Sequence, residues 1–236
     1  EKDYLEMYEE KKIILDIEDR IIGSVNGLSV IDFGYMSFGK PMRITCTCYK
    51  GSGKIMDAQR ESNLSGNIHN KSLNILRGFL SSFFNSYEAL PVDFQLSFEQ
   101  LYGKIEGDSA SVAEVIAMIS SLSKIPVDQS IAVTGSLNQF GQVQPIGGVN
   151  EKIEGFFNVC KKIGTYIGKA VLIPESNKDE LILNSEIEEA VRKGEFKIYL
   201  MKDINEALST LLLNDTISLE DIGNKISEEI KKFKDN

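Results

Sequence analysis

Ser109 stands in Glu106-Gly107-Asp108-Ser109-Ala110-Ser111, ahead of small and apolar residues that recur at Ala110, Val112, Ala113, Ile116, Ala117 and Ile119. That spacing predicts a helix beginning beside the serine. Its hydroxyl then lies at the helix end that carries unpaired backbone N–H groups and the positive pole of the helix dipole. Such a place suits a reaction that builds negative charge on oxygen. It also suits a helix cap, for which serine and aspartate are ordinary choices, and the residues Asp108-Ser109 alone favour capping over catalysis. A serine hydroxyl is a weak nucleophile and needs a base beside it. The chain has a single histidine, His69, so a Ser-His-Asp arrangement would have to use it; a loop histidine satisfied by backbone is its blander role. A lysine can serve instead, provided burial or a nearby positive pole lowers its pKa from about 10.4.

A second segment, Gly141-Gln142-Val143-Gln144-Pro145-Ile146-Gly147-Gly148-Val149-Asn150-Glu151-Lys152, shifts the balance toward catalysis. The two segments together resemble the proteolytic domain of the Lon family of ATP-dependent proteases. The acidic Glu106-Gly107-Asp108 before the serine is similar to that family's B-type branch, where Asp108 replaces a proline common in the wider family. Val25-Asn26-Gly27-Leu28 and Val171-Leu172-Ile173-Pro174 fit the same pattern. The resemblance implies a Ser-Lys dyad, with Ser109 as nucleophile and Lys152 as general base. It further implies that Thr134 holds the lysine by a hydrogen bond and that Glu106 and Asp108 are acidic residues of the site. The activity implied is a serine endopeptidase of the endopeptidase La type, acting on unfolded or damaged proteins in quality control. Implied partners are unfolded polypeptide, identical subunits in a ring that is usually a hexamer, and an ATPase module outside this chain that uses ATP and Mg. Two other functions stay open: a non-catalytic ring-forming assembly domain, and an amidase using the same Ser-Lys pair.

Lys152 also stands out on local grounds. Gly147-Gly148 permits a tight turn, Asn150 is a candidate cap, and Lys152 then falls in the first turn of a helix running through Phe156, Phe157, Val159 and Cys160. Lysines favour the opposite end of a helix, so this one is a better base than a lysine on an exposed face. Glu106 and Asp108 act the other way, because a close carboxylate stabilises the ammonium.

The frame around these residues alternates strand and helix patterns. Strands are expected near Gly23–Val30, Met42–Tyr49, Ile55–Gln59, Phe94–Phe98, Ile131–Thr134, Ala170–Pro174 and Lys197–Leu200. Helices are expected on the stripe Leu73, Leu76, Leu80, Phe83 and Phe84, after Ser109, after Gly148, over Ile187–Lys193 and Ile204–Leu213, and over Ser218–Lys234. The alternation gives the fold class α/β (α+β) with mixed sheets and helices packed on them, and the resemblance implies that it is a Lon-type proteolytic domain. Residues 1–19 read as a linker from a missing upstream ATPase region, 20–213 as the proteolytic domain, and 214–236 as a C-terminal helical extension.

Composition narrows the alternatives. A net charge of −9 without a basic cluster argues against a nucleic-acid surface, and no apolar run is long enough for a membrane span. Cys46, Cys48 and Cys160 read as reduced, buried thiols of a cytoplasmic protein, and one histidine leaves little material for a metal site, so no metal or cofactor is expected in this chain. Gly51-Ser52-Gly53-Lys54 imitates the end of a phosphate-binding loop, but Cys48 replaces the first glycine and Ile55 replaces the magnesium-binding hydroxyl. A hairpin turn between strands is the expectation there.

Overall fold

Lys169–Pro174 forms a strand buried along its whole length, as an apolar run covered on both faces must be. The computed structural model describes residues 1–61, 74, 75, 78, 90–100 and 107–235. Among them, one mixed sheet has the order β11 (Phe196–Met201), β10 (Lys169–Pro174), β7 (Ile131–Val133), β2 (Ser24–Asp32), β3 (Ser37–Lys50), β5 (Val92–Phe98), β4 (Ile55–Asp57). Two small pairs flank it, β1 (Arg20–Ile21) with β6 (Val127–Asp128) and β8 (Ser136–Leu137) with β9 (Val143–Gln144). The helices are α1 (Lys2–Glu9), α2 (Ala58–Glu61), α3 (Ser111–Ser123), α4 (Val149–Ile163), α5 (Ser185–Arg192), α6 (Ile204–Leu211) and α7 (Leu219–Asp235).

Alternating strand residues divide the core between the two faces of this sheet. Ile44, Cys46, Leu96, Val133 and Leu172 join α3, α6 and α7 on one face. Leu28, Ala132, Val171 and Ile173 join α4 and α5 on the other. Every residue of α3 is buried, which its small and apolar composition allows. α7 helps to cover α3, laying Ile222 and Ile226 into the same core. α1 docks on α4, with Tyr8 buried beside Ile13 and Val159 and its hydroxyl donating to Pro41 O at 2.7 Å.

Three local expectations are corrected. Gly51–Lys54 is not a hairpin turn, because β5 lies between β3 and β4, antiparallel to one and parallel to the other. Its Ser52 and Lys54 N–H groups both donate to Asp93 Oδ1, at 2.8 and 2.9 Å, so a carboxylate of the chain already fills the turn. The strand from Ile55 ends at Asp57 and turns helical at Ala58, where Asp57 Oδ1 accepts from Gln59 N. Asn150 is not the cap of α4; that position is Gly148, in the left-handed region at φ 66° and without a capping side chain. Asn150 instead ties α4 to the chain ahead of α5, donating to Glu180 O and accepting from Ile182 N. The stripe Leu73, Leu76, Leu80, Phe83 and Phe84, together with His69 and Glu106, lies outside the described residues.

Two features of the sheet position the candidate residues. β7 stops at Val133, while its parallel neighbours run on, β2 to Asp32 and β10 to Pro174. A notch therefore opens at the C-terminal end of β7, the side on which open α/β sheets bind ligands. The second feature is a close approach of backbones. A Cβ added to Gly39 of β3 would stand 2.8 Å from Lys152 Cα, and one added to Gly155 would stand 2.7 Å from Gly39 Cα. No side chain fits between, so strand and helix meet through glycine. Gly39→Ala should destabilise the chain by about 2–3 kcal/mol in urea unfolding through overpacking. Gly147→Ala, with nothing within 4 Å of the added carbon, should change stability by less than about 0.5 kcal/mol.

Candidate active site

Ser109 lies immediately before the N-cap of α3, which is Ala110, and no side chain caps this helix. The capping role is thereby answered: Ser109 O accepts from Gly135 N at 2.9 Å, while its hydroxyl has no hydrogen-bond partner among the described residues. Val112 N donates to Gly135 O at 3.1 Å, so two backbone bonds fasten the start of α3 to the residue after Thr134. Thr134 extends β7 by one bond, its N–H donating to Leu172 O at 3.1 Å. Ser109 and Thr134 thus sit together at the notch.

Lys152 reaches this region from the opposite face of the sheet. The turn ahead of its helix is held by Asn177, which accepts from Ile146 N at 3.0 Å and donates to Ile146 O at 2.9 Å. Gly148 then reverses the chain against Val30 of β2, and Lys152 N donates to Gly148 O at 3.0 Å in the first turn of α4. The lysine is 3% exposed. Burial pulls its pKa from 10.5 down to about 8, against the opposing pull of the Asp108 and Glu151 carboxylates. Burial therefore outweighs the acidic neighbours among the described residues.

No hydrogen bond joins Ser109 Oγ to Lys152 Nζ, and the lysine makes no ion pair among the described residues. The hydrogen bond from Thr134 that the resemblance implied is also absent, and the Thr134 hydroxyl is buried without a partner. Asp108 is engaged elsewhere: Oδ2 accepts from Ser136 Oγ at 2.6 Å, and its backbone O accepts from both the N–H and the hydroxyl of Ser111. The structure thus brings Ser109, Thr134 and Asp108 to one place, with Lys152 within electrostatic reach of Asp108.

The chain matches the C-terminal proteolytic domain of Lon protease (S16) over residues 4–214. It belongs to the Lon proteolytic-domain family. A Lon protease homolog of Escherichia coli (strain K12) is 44% identical over 205 residues, covering 86% of this chain and 35% of that protein. One of Haemophilus influenzae is 40% identical over 219 residues, covering 92% and 36%. An archaeal Lon protease of Archaeoglobus fulgidus is 31% identical over 234 residues, covering 98% and 33%. The chain spans about a third of the length of these curated relatives. The mixed sheet with helices on both faces is consistent with a Lon proteolytic domain.

Sequence reasoning passed over Asn177, Gly39 and Ser136. Asn177 follows the apolar strand by three positions and is fully buried, but a lone asparagine after Pro174 carries no signal of its partner 31 residues earlier. Asn177→Ala would leave the Ile146 N–H and C=O buried without partners. A loss of about 2–4 kcal/mol in urea unfolding is expected. Lys152 gives a prediction of opposite sign. Between about pH 8 and 10.5 the unfolded chain holds more protons at this site than the folded one, so stability rises with pH across that window. Below pH 8 the cost of the buried ammonium is fully present. Lys152→Met should therefore stabilise the chain by up to about 3 kcal/mol at pH 7, with the gain vanishing toward pH 10.5 in denaturation measured across pH.

Proposed function

We propose that this Lon-family domain is a serine endopeptidase in which Ser109 and Lys152 form the dyad. The observation that carries this reading is Lys152 itself, a buried amine without an ion pair among the described residues, whose pKa falls to about 8 beside the segment that bears a free serine hydroxyl. A group that titrates there is neutral often enough to act as a base near neutral pH; at pH 7 about a tenth of it is deprotonated.

The chemistry follows from the atoms. Lys152 Nζ takes the proton of Ser109 Oγ as the oxygen attacks the scissile carbonyl carbon, and the carbonyl oxygen becomes an oxyanion. The N–H groups of Ser109 and Ala110 donate to no acceptor among the described residues, which supports a role for them in holding that charge. Lys152 then returns the proton to the leaving amine, and the acyl group stays on Ser109. Water, deprotonated by the same amine, attacks the ester and frees the second product. The Thr134 hydroxyl is buried without a partner and so is free to bond to the lysine amine, which supports Thr134 as the residue that orients the base.

Unfolded polypeptide is the proposed substrate, and a ring of identical subunits the proposed assembly. The ATP and Mg of such a protease belong in this reading to an ATPase module outside the chain, since the phosphate-loop-like turn Gly51–Lys54 does not fit a nucleotide. Asp93 occupies the Gly51–Lys54 turn, Ile55 offers no hydroxyl for magnesium, and no group of metal-ligating side chains occurs among the described residues.

Short unfolded peptides test the proposal without an unfolding motor. Ser109→Ala and Lys152→Ala should each lower kcat by about 10³-fold or more while circular dichroism stays unchanged. The parent rate should rise with pH through a midpoint near 8, as the amine loses its proton, and level off above it. Cleavage that survives either substitution would eliminate the dyad, and turnover of small amides without peptide cleavage would point to an amidase.

A further inference from the structure

Ser136 opens β8, two residues beyond Thr134, and is 2% exposed. Its hydroxyl donates to Asp108 Oδ2 at 2.6 Å, a length expected for a bond from a hydroxyl to a carboxylate. Gln144 Oε1 stands 3.3 Å from the same hydroxyl, across the β8–β9 pair in which Ser136 and Gln144 face each other. The donor is thus mounted on paired backbone rather than on a free surface side chain.

Asp108 precedes the nucleophile of the proposed dyad, and its charge acts on Lys152. Glu151, on the lysine's own helix, is the other charged group among the described residues that does so. From the sheet, β2 brings Val30 against Gly148 and β3 brings the Gly39 backbone against Lys152, and neither carries a charge there. Glu106 lies outside the described residues. Asp108 Oδ2 is therefore held by a neutral donor while the nearby amine forms no ion pair. We propose that Ser136 is a positioning residue that holds the Asp108 carboxylate away from Lys152 and so leaves the amine free to serve as the base for Ser109. Ser136 has this role only if Ser109 and Lys152 form the dyad proposed above.

The competition is between two partners for one carboxylate. Without the Ser136 hydroxyl, a half-buried carboxylate loses a short, charge-assisted bond, and Lys152 is the nearby cation able to replace it. An opposite charge in contact raises the pKa of an amine by about 1–3 pH units, enough to keep Lys152 an ammonium at neutral pH. An ammonium has no lone pair with which to accept the serine proton.

Chains carrying 13C-labelled lysine report the Lys152 titration by NMR, with the resonance assigned by its loss in Lys152→Met; this readout needs no turnover. Ser136→Ala should raise the Lys152 midpoint by roughly one pH unit or more. Adding Asp108→Asn to Ser136→Ala should return it to the parent value or below. Ser136→Cys, close in volume but a weaker donor, should shift it in the same direction by less and covers the case in which Ser136→Ala fails to fold. The rising limb of peptide hydrolysis should move with the NMR midpoint. A midpoint unmoved in the Ser136 variants, or a rise that persists in the double variant, overturns the role of Ser136. That failure differs from failure of the dyad, which shows as cleavage surviving Ser109→Ala or Lys152→Ala and overturns both.

Discussion

The contact between Gly39 and Gly155 is the constraint on which the site depends. Because neither residue has a side chain, β3 and α4 approach backbone to backbone, and the first turn of α4 is pressed against the sheet. Lys152 is carried inside with it. The cost of an ammonium there is about 3 kcal/mol, judged from its lowered pKa. Ile153, Phe156 and Phe157, fully buried on the same helix, return roughly 1.5–3 kcal/mol each. The hydrophobic contribution of one helix face thus exceeds the electrostatic penalty of one residue, and the fold can hold a lysine where it prefers to be neutral.

The sheet also separates the two halves of the proposed chemistry. α3 follows Ser109 on one face and α4 carries Lys152 on the other, so their side chains could not meet through a continuous sheet. They can approach only past a strand end. β7 is the strand that stops, and its short length follows from Gly135, whose N–H is spent on Ser109 O and whose C=O is spent on Val112 N of α3 rather than on another strand. The same two bonds fix the start of α3 over the notch. Backbone hydrogen bonding at one residue therefore ends the strand and places the serine, while Asn177 performs the corresponding task for the turn before the lysine.

Much of this was legible in the sequence, and the rest was not for identifiable reasons. Strand and helix periods located β2, β3, β5, β10 and the helices after Ser109 and Gly148, because each buries a regular face. The glycine turn ahead of Lys152 was readable because a left-handed residue there needs glycine. Asn150 was misread as a cap because local preference carries no information about a partner near residue 180. Gly51–Lys54 was misread as a hairpin because insertion of β5 between β3 and β4 is a long-range event. Ser136 and Gly39 gave no signal at all, since a serine in a short strand and a glycine in a long one acquire meaning only from what packs against them. The acidic residues before Ser109 were seen, but the balance between their charge and the burial of Lys152 needed the depth of the site.

Three polar groups near the notch lack partners among the described residues: the Ser109 hydroxyl, the Thr134 hydroxyl and the Lys152 amine. A fully buried hydroxyl such as that of Thr134 is rarely left so, because it costs about 1–3 kcal/mol. Protonation decides whether they can satisfy one another. An ammonium offers three donors and no acceptor, so it cannot take a hydrogen from the serine. A neutral amine offers one lone pair and two donors, which can accept from Ser109 while donating to Thr134. On the proposed dyad, loss of the lysine proton converts three mismatched groups into a chain with one direction, from serine to amine to threonine. The depth that makes Lys152 costly as a cation is thus the same property that lets the arrangement close when it is neutral, and a lysine on the surface would have neither.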